Sequence, residues 1–158
     1  MEAWIYHFPI GEIMIVEEDS AITEISFAQE LPEGAERRET PLIKRCQEEL
    51  EEYFAGRRLS FDLPLAPKGT AFQQSVWRAL ETIPYGEVRS YGDIARQIGN
   101  PKACRAIGGA NNRNPIAIVI PCHRVIGADG RLVGYGGGLD KKEMLLSLER
   151  QVMEAKTC

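Results

Sequence analysis

The sequence predicts an α+β fold: a small antiparallel sheet with one helix, followed by a mainly helical half that carries a helix-turn-helix and a candidate active-site cysteine. Three observations lead there. Short β-branched and aromatic runs fill the chain up to Phe27, helical spacing of apolar residues takes over afterwards, and the charge changes sign near Lys68. Residues 1–68 carry 7 Lys+Arg against 15 Asp+Glu, net −8, whereas residues 69–158 carry 12 against 8, net +4. Pro64, Pro67 and Gly69 punctuate the junction, so two domains are expected, 1–68 and 69–158.

In the first half, Trp4–Phe8, Ile13–Val16 and Ile22–Phe27 read as strands, with Gly11 and Asp19-Ser20 as the turns of an antiparallel meander. From Pro41 to Ala55 the apolar positions Leu42, Cys46, Leu50 and Phe54 recur every four residues; Pro41 suits a first helical turn and Gly56 follows the end. One amphipathic helix packing on the sheet is expected, with Cys46 in its buried stripe.

In the second half, Thr70 caps a helix carrying Phe72, Val76, Leu80 and Ile83, which stops at Pro84-Tyr85-Gly86. Ser90 caps a short helix from Tyr91 to Ile98, Gly99-Asn100 turns the chain, and Pro101 opens a helix to about Asn111. Two short helices across a tight turn form a helix-turn-helix pattern. Glycine inside a helix costs about 1 kcal/mol relative to alanine, so Gly108-Gly109 call for either close helix packing or close approach to a groove.

No acidic residue lies between Asp93 and Asp129, while Arg96, Lys102, Arg105, Arg113 and Arg124 do, which makes that window a candidate phosphate-facing surface. The composition points away from other classes. No stretch approaches the roughly 18 apolar residues of a membrane span, and no signal peptide is visible, so a soluble cytoplasmic protein is expected. Cys46, Cys104, Cys122 and Cys158 make no CxxC pair, and neither His7 nor His123 sits at zinc-finger spacing, so neither a disulfide framework nor a metal site is expected.

The reactive candidate lies where the apolar run Ile116–Ile120, read as a buried strand, enters Pro121-Cys122-His123-Arg124-Val125. A thiol ordinarily titrates near pH 8.5, and cationic or imidazole neighbours lower that value; His123 and Arg124 supply both kinds. Adjacent strand residues face opposite ways, so cooperation between Cys122 and His123 needs a turn or a bridging water. A carboxylate should orient the imidazole. Asp129 and, on a last helix with an apolar face of Met144, Leu145 and Leu148, Glu143 and Glu149 are the candidates.

Pro121-Cys122-His123-Arg124-Val125, preceded by Asn114-Pro115 and followed by Gly134-Tyr135 and Gly137-Gly138-Leu139, resembles the O6-alkylguanine-DNA alkyltransferase family. The likeness extends from Thr70 to about Glu149 and includes Pro84-Tyr85-Gly86, Ser90-Tyr91 and Arg105-Ala106-Ile107-Gly108-Gly109. It implies an RNase H-like first domain and a monomer that needs no cofactor. The implied activity is irreversible, once-only transfer of the alkyl group of O6-alkylguanine, and of O4-alkylthymine, in double-stranded DNA bound through its minor groove.

The resemblance also distributes roles. Cys122 is the implied acceptor, activated through a water by His123, which Glu149 orients; Asn114 braces the active-site turn. Arg105 is the finger that replaces the extruded nucleotide, with Lys102, Arg96, Arg113, Ala106, Gly108 and Gly109 on the DNA-facing surface. Tyr91 crowds the adjacent phosphate and gives guanine a proton as it leaves. Pro121, Val125, Tyr135 and Gly136 line the pocket, where Gly136 replaces a serine of some relatives and Ala117 a proline. The competing readings are a non-catalytic helix-turn-helix protein that only binds lesions, and a thiol hydrolase or cysteine protease.

Overall fold

The structure, a computed structural model, describes residues 1–157, which divide into two compact units, one of Met1–Lys68 and one that begins at Gly69. In the first unit, β1 (Glu2–Phe8), β2 (Gly11–Glu18) and β3 (Ala21–Ser26) form an antiparallel meander. A two-residue strand, β4 (Glu36–Arg37), adds to the free side of β1 in parallel, so the sheet order is β3-β2-β1-β4 and the sheet is mixed rather than purely antiparallel. Asp19 and Ser20 both take positive φ, which suits the tight turn between β2 and β3.

Helix α1 (Pro41–Phe54) packs on β1, β2 and β3. Thr40 caps it by accepting a hydrogen bond from the Ile43 N–H, and Pro41 stands in the first turn, where a missing N–H costs nothing. Its inward stripe is Ile43, Cys46, Leu50 and Tyr53, which are all fully buried, rather than the predicted Leu42, Cys46, Leu50 and Phe54. The physical reason is the helical period: strict four-residue steps drift around the axis, while steps of three and four keep to one face. Tyr53 and Phe54 then build an aromatic group with Phe8 and Phe61, with Phe8–Phe54 centroids 5.5 Å apart and Tyr53–Phe61 centroids 5.7 Å apart.

The second unit contains α2 (Ala71–Leu80), β5 (Arg89–Ser90), α3 (Tyr91–Gln97), α4 (Cys104–Asn112), β6 (Val125–Ile126) and α5 (Leu139–Thr157). Thr70 and Ser90 each form a full capping box, in which the side chains of Gln73 and Asp93 respectively accept a hydrogen bond from the cap residue's N–H. Helices α3 and α4 form the predicted helix-turn-helix, and α2 packs on both. Trp77 anchors α2 to α4 by donating its indole N–H to the Ala110 carbonyl at 2.9 Å. Helix α4 begins at Cys104, three residues beyond the predicted Pro101; Pro101-Lys102 stay in the turn, and Ala103 offers no side-chain cap.

One predicted strand is absent. Ile116–Ile120 folds as a compact turn, with Ile118 at φ +71° and bonds from Val119 N to Ala117 O and from Ile120 N to Ile116 O. The run is apolar because it is buried; Ile116, Ile118 and Ile120 are all at most 1% exposed. No strand partner is needed because the Asn114 carboxamide satisfies the backbone instead. It donates to the Ile116 and Ile120 carbonyls at 3.1 and 2.8 Å and accepts from the Ile116 N–H at 3.0 Å. Among the described residues, no helix is long and apolar enough to cross a membrane.

Candidate active site

Cys122, His123 and Arg124 follow the Asn114-braced turn as a single turn of 3-10 helix, with Pro121 at its start, so the two reactive side chains are not on opposite faces of a strand. The next two residues, Val125 and Ile126, form β6, which pairs in parallel with β5, Arg89 opposite Val125 and Ser90 opposite Ile126. This short sheet was not foreseen. It ties the cysteine turn to the residue pair that immediately precedes α3, and Tyr91 is the first residue of that helix.

Glu149 of α5 is the carboxylate that meets the imidazole: its Oε2 lies 2.7 Å from His123 Nε2, and both side chains are at most 1% exposed. Glu143 is exposed on the same helix, and exposed Asp129 pairs with Arg131. Glu149 is held on all sides. Arg124 donates from Nε to Oε1 at 2.8 Å and from Nη2 to Oε2 at 3.0 Å, and the Gly86 N–H donates to Oε1 at 3.2 Å. Burial alone would raise the Glu149 pKa, but the bonds and charges of His123 and Arg124 outweigh it and hold the carboxyl at about 2. Burial in turn lowers the His123 pKa, favouring the neutral ring. A carboxylate on Nε2 selects the tautomer with its proton there and leaves Nδ1, which is buried and bonds no protein atom, as a proton acceptor.

The thiol differs from the sequence expectation. Cys122 is only 4% exposed, and burial pushes its pKa up, not down. The groups that oppose burial are Asn114, Lys142 and Tyr135, while Arg124 faces Glu149 and stacks over the Tyr85 ring at 5.5 Å. Arg124 therefore leaves the predicted phosphate-facing set. Arg96, Lys102, Arg105 and Arg113 are exposed, Arg96 pairing with Asp93 one turn away. Ala106 and Gly109 are exposed on α4 beside Arg105.

A Cβ on Gly109 would meet nothing within 4 Å, and one on Gly108 would touch only Tyr91 at 3.8 Å, so packing within the unit requires neither glycine. Gly109→Ala is therefore expected to stabilise the fold by up to about 1 kcal/mol in denaturant titration. The same variant is expected to bind duplex DNA more weakly if this face lies against a groove, and equal or tighter binding would count against that placement. Gly136 is different: a Cβ there would sit 3.2 Å from the Asn112 carbonyl oxygen, tighter than ordinary packing.

Tyr91 donates its hydroxyl to the Val133 carbonyl at 2.9 Å, and burial together with the charge of the neighbouring Cys122 pushes the Tyr135 pKa up. Two residues escaped the sequence reading. Asn111, 2% exposed, donates to the Cys122 carbonyl at 3.3 Å. Lys142 is fully buried and donates to the Val125 carbonyl. Its signal was present: Lys142, Leu145, Leu146 and Glu149 lie at i, i+3, i+4 and i+7, and all are buried, whereas the predicted Met144 is 47% exposed.

Comparison with known proteins accords with this geometry. Residues 71–151 match the family described as 6-O-methylguanine DNA methyltransferase, DNA binding domain, and residues 3–67 match its ribonuclease-like domain. The methylated-DNA–protein-cysteine methyltransferase of Methanosarcina acetivorans is 53% identical over 150 residues, spanning 92% of this chain and 96% of its own. The constitutive enzyme of that name from Bacillus subtilis is 50% identical, spanning 90% and 91%. The crystal structure of Mycobacterium tuberculosis OGT in complex with DNA superposes with a TM-score of 0.90 at 45% identity, covering 96% of this chain and 94% of that one. Fold and site together define a DNA-binding protein with a buried cysteine next to a buried histidine–glutamate pair. The chain belongs to the 6-O-methylguanine DNA methyltransferase family.

Proposed function

We propose that this protein repairs DNA by moving the alkyl group from O6 of an alkylated guanine in duplex DNA to the Cys122 sulfur, once per molecule. The observation that carries the reading is the buried Cys122 next in sequence to a buried, hydrogen-bonded His123–Glu149 pair, within the unit that matches the family's DNA-binding domain. The thiol proton passes through a water to His123 Nδ1; the thiol needs this base because burial favours its neutral form. The thiolate attacks the alkyl carbon, the S–C bond forms as the C–O6 bond breaks, and Tyr91 protonates the departing guanine, afterwards recovering a proton from solvent. The thioether has no hydrolytic route back, so the protein is consumed. Alkyl on O4 of thymine presents the same exocyclic C–O bond and is the second substrate.

A base inside duplex DNA cannot reach a buried sulfur, so the nucleotide must leave the stack, and a damaged pair opens at lower cost. Arg105, exposed on α4 beside Gly108 and Gly109, is the side chain that enters the minor groove and fills the gap. Backbone carbonyls of Cys122 and Val125 read the exocyclic amine, and the Gly136 N–H meets O6. We assign the protein to the cytoplasm as a monomer; its three described free thiols suit a reducing compartment, and Cys158 lies outside the described residues.

Incubation with an oligonucleotide bearing O6-methylguanine tests the reading. The expected result is a mass gain of one methyl on the Cys122 peptide with guanine restored; binding without mass gain would make the protein a lesion sensor, and repeated turnover would make it a hydrolase. Arg105→Ala is expected to slow repair in duplex DNA by about tenfold or more, the price of extrusion being a few kcal/mol, while leaving reaction with the free alkylated base nearly unchanged. Single-turnover rates on both substrates measure this, and equal slowing would remove Arg105 from the finger role.

A further inference from the structure

Asn111 stands between the two groups that the proposed reaction brings to the guanine, Tyr91 and Cys122, and one half of its side chain is spent on neither. It lies near the end of α4 on the buried side, 2% exposed. Its Nδ2 donates to the Cys122 carbonyl at 3.3 Å. Burial and the charge of Cys122 raise the Tyr91 pKa, and the adjacent Asn111 carboxamide opposes them. Tyr91 also meets α4 one turn earlier, where a Cβ on Gly108 would touch its ring at 3.8 Å. The Cys122 carbonyl accepts the Val125 N–H as well as Asn111 Nδ2, so both its lone pairs are taken. Oδ1 of Asn111 is the acceptor left beside it: the atom is buried, and among the described residues nothing donates to it. A carboxamide oxygen sealed from water is costly without a donor and so calls for one. The bond that Nδ2 makes polarises the amide and strengthens Oδ1 as an acceptor.

We propose that Asn111 is a specificity-determining residue for the transfer: its Oδ1 accepts a hydrogen bond from the exocyclic 2-amino group of the extruded guanine. This rests on the reading of Cys122 as the acceptor of the alkyl group. The chemistry of the lesion selects the donor. Guanine alkylated at O6 has lost its N1 hydrogen, so the 2-amino group is the one hydrogen-bond donor left on the base. One of its hydrogens serves the Val125 carbonyl; the other is shared between the Cys122 carbonyl, already twice occupied, and Asn111 Oδ1 beside it. Cys122 is itself only 4% exposed, so any base that reaches the sulfur requires the site to open. The wall next to Asn111 is the loop of Gly134 and Gly136, where added Cβ atoms would lie 3.1 and 3.2 Å from Asn112 oxygens. Thymine alkylated at O4 offers no such donor, so Asn111 ranks guanine lesions above thymine lesions.

The test measures single-turnover transfer from two duplexes, one bearing O6-methylguanine and one O6-methylhypoxanthine, which differs only in lacking the 2-amino group. Wild type is expected to react about tenfold or more faster with the guanine lesion. Asn111→Leu, similar in volume and without polar atoms, is expected to cut that ratio about fivefold or more, whatever it does to the separate rates. Asn111→Asp keeps an acceptor oxygen but loses the Nδ2 donor; it is expected to slow both lesions, its charge opposing the thiolate, and to retain the ratio. An unchanged ratio in folded Asn111→Leu would reduce Asn111 to structural support, and a ratio lost in Asn111→Asp as well would assign the discrimination to the Cys122 carbonyl. Cys122→Ala protein, which binds without reacting, supplies a measurement that needs no change at Asn111. The NMR resonances of the Asn111 side-chain amide should shift more with the guanine duplex than with the hypoxanthine duplex, and equal shifts would overturn the contact. Should wild type take a methyl from neither duplex, the repair reading fails; should it take both in a proportion that Asn111→Leu leaves unchanged, the Asn111 assignment alone does.

Discussion

Replacing Cys122 with alanine abolishes methyl transfer and leaves binding to duplex DNA intact. The sulfur is the soft nucleophile of the site, and in the proposed mechanism His123 acts on its proton and Glu149 on His123. No partial activity is expected, because a neutral imidazole or a paired carboxylate attacks an unactivated alkyl carbon far more slowly than a thiolate. Binding is expected to persist because the substitution leaves in place the exposed basic residues Arg96, Lys102, Arg105 and Arg113 on α3, α4 and the adjoining turns. Mass spectrometry of the whole protein after exposure to alkylated duplex, beside a binding titration, measures both halves. A methyl found on the Cys122→Ala protein would assign the acceptor elsewhere.

Glu149→Gln is expected to reduce both stability and rate. Glu149 is 1% exposed and receives Arg124 through both its oxygens, so removing its charge leaves a buried guanidinium without its counter-ion, at a cost of about 3–5 kcal/mol. The transfer rate should fall by about 100-fold or more, the usual scale of lost general-base assistance. The pH dependence identifies the cause. The Glu149 pKa is held at about 2 in the folded protein, below the unfolded value of about 4.3, so its contribution is present above pH 4.3 and disappears as pH falls towards 2. Wild type should therefore lose about 3 kcal/mol across that window which the glutamine variant never had. Denaturant titrations at several pH values test it, and parallel curves for the two proteins would detach Glu149 from the relay.

Much of the architecture was legible because the signals act between near neighbours in the chain. Thr70 and Ser90 cap the helices they were expected to cap, since a hydroxyl three residues from a free N–H needs no help from the rest of the fold. Ile116–Ile120 misled for the complementary reason. An apolar run reports burial, and burial alone does not distinguish a strand from a turn whose backbone is satisfied by a side chain such as Asn114. Arg124 misled through proximity in sequence: it adjoins the cysteine turn, yet its guanidinium finds Glu149, 25 residues further along. The α5 stripe was misjudged by choosing the most apolar residues, when two of the four buried ones are charged.

Local order along the chain therefore specifies the helix-turn-helix, the exposed arginine of α4 and the cysteine beside its histidine, because caps, turns and helical period depend on residues within a few positions of one another. Folding, where spacing along the chain could not choose, selects Glu149 over Glu143 and Asp129, sends Arg124 to that carboxylate, and places buried Lys142 on the Val125, Val133 and Gly134 carbonyls. Those choices depend on contacts between residues 8 to 26 positions apart, where burial makes each charge seek whichever partner the packed backbone brings within reach.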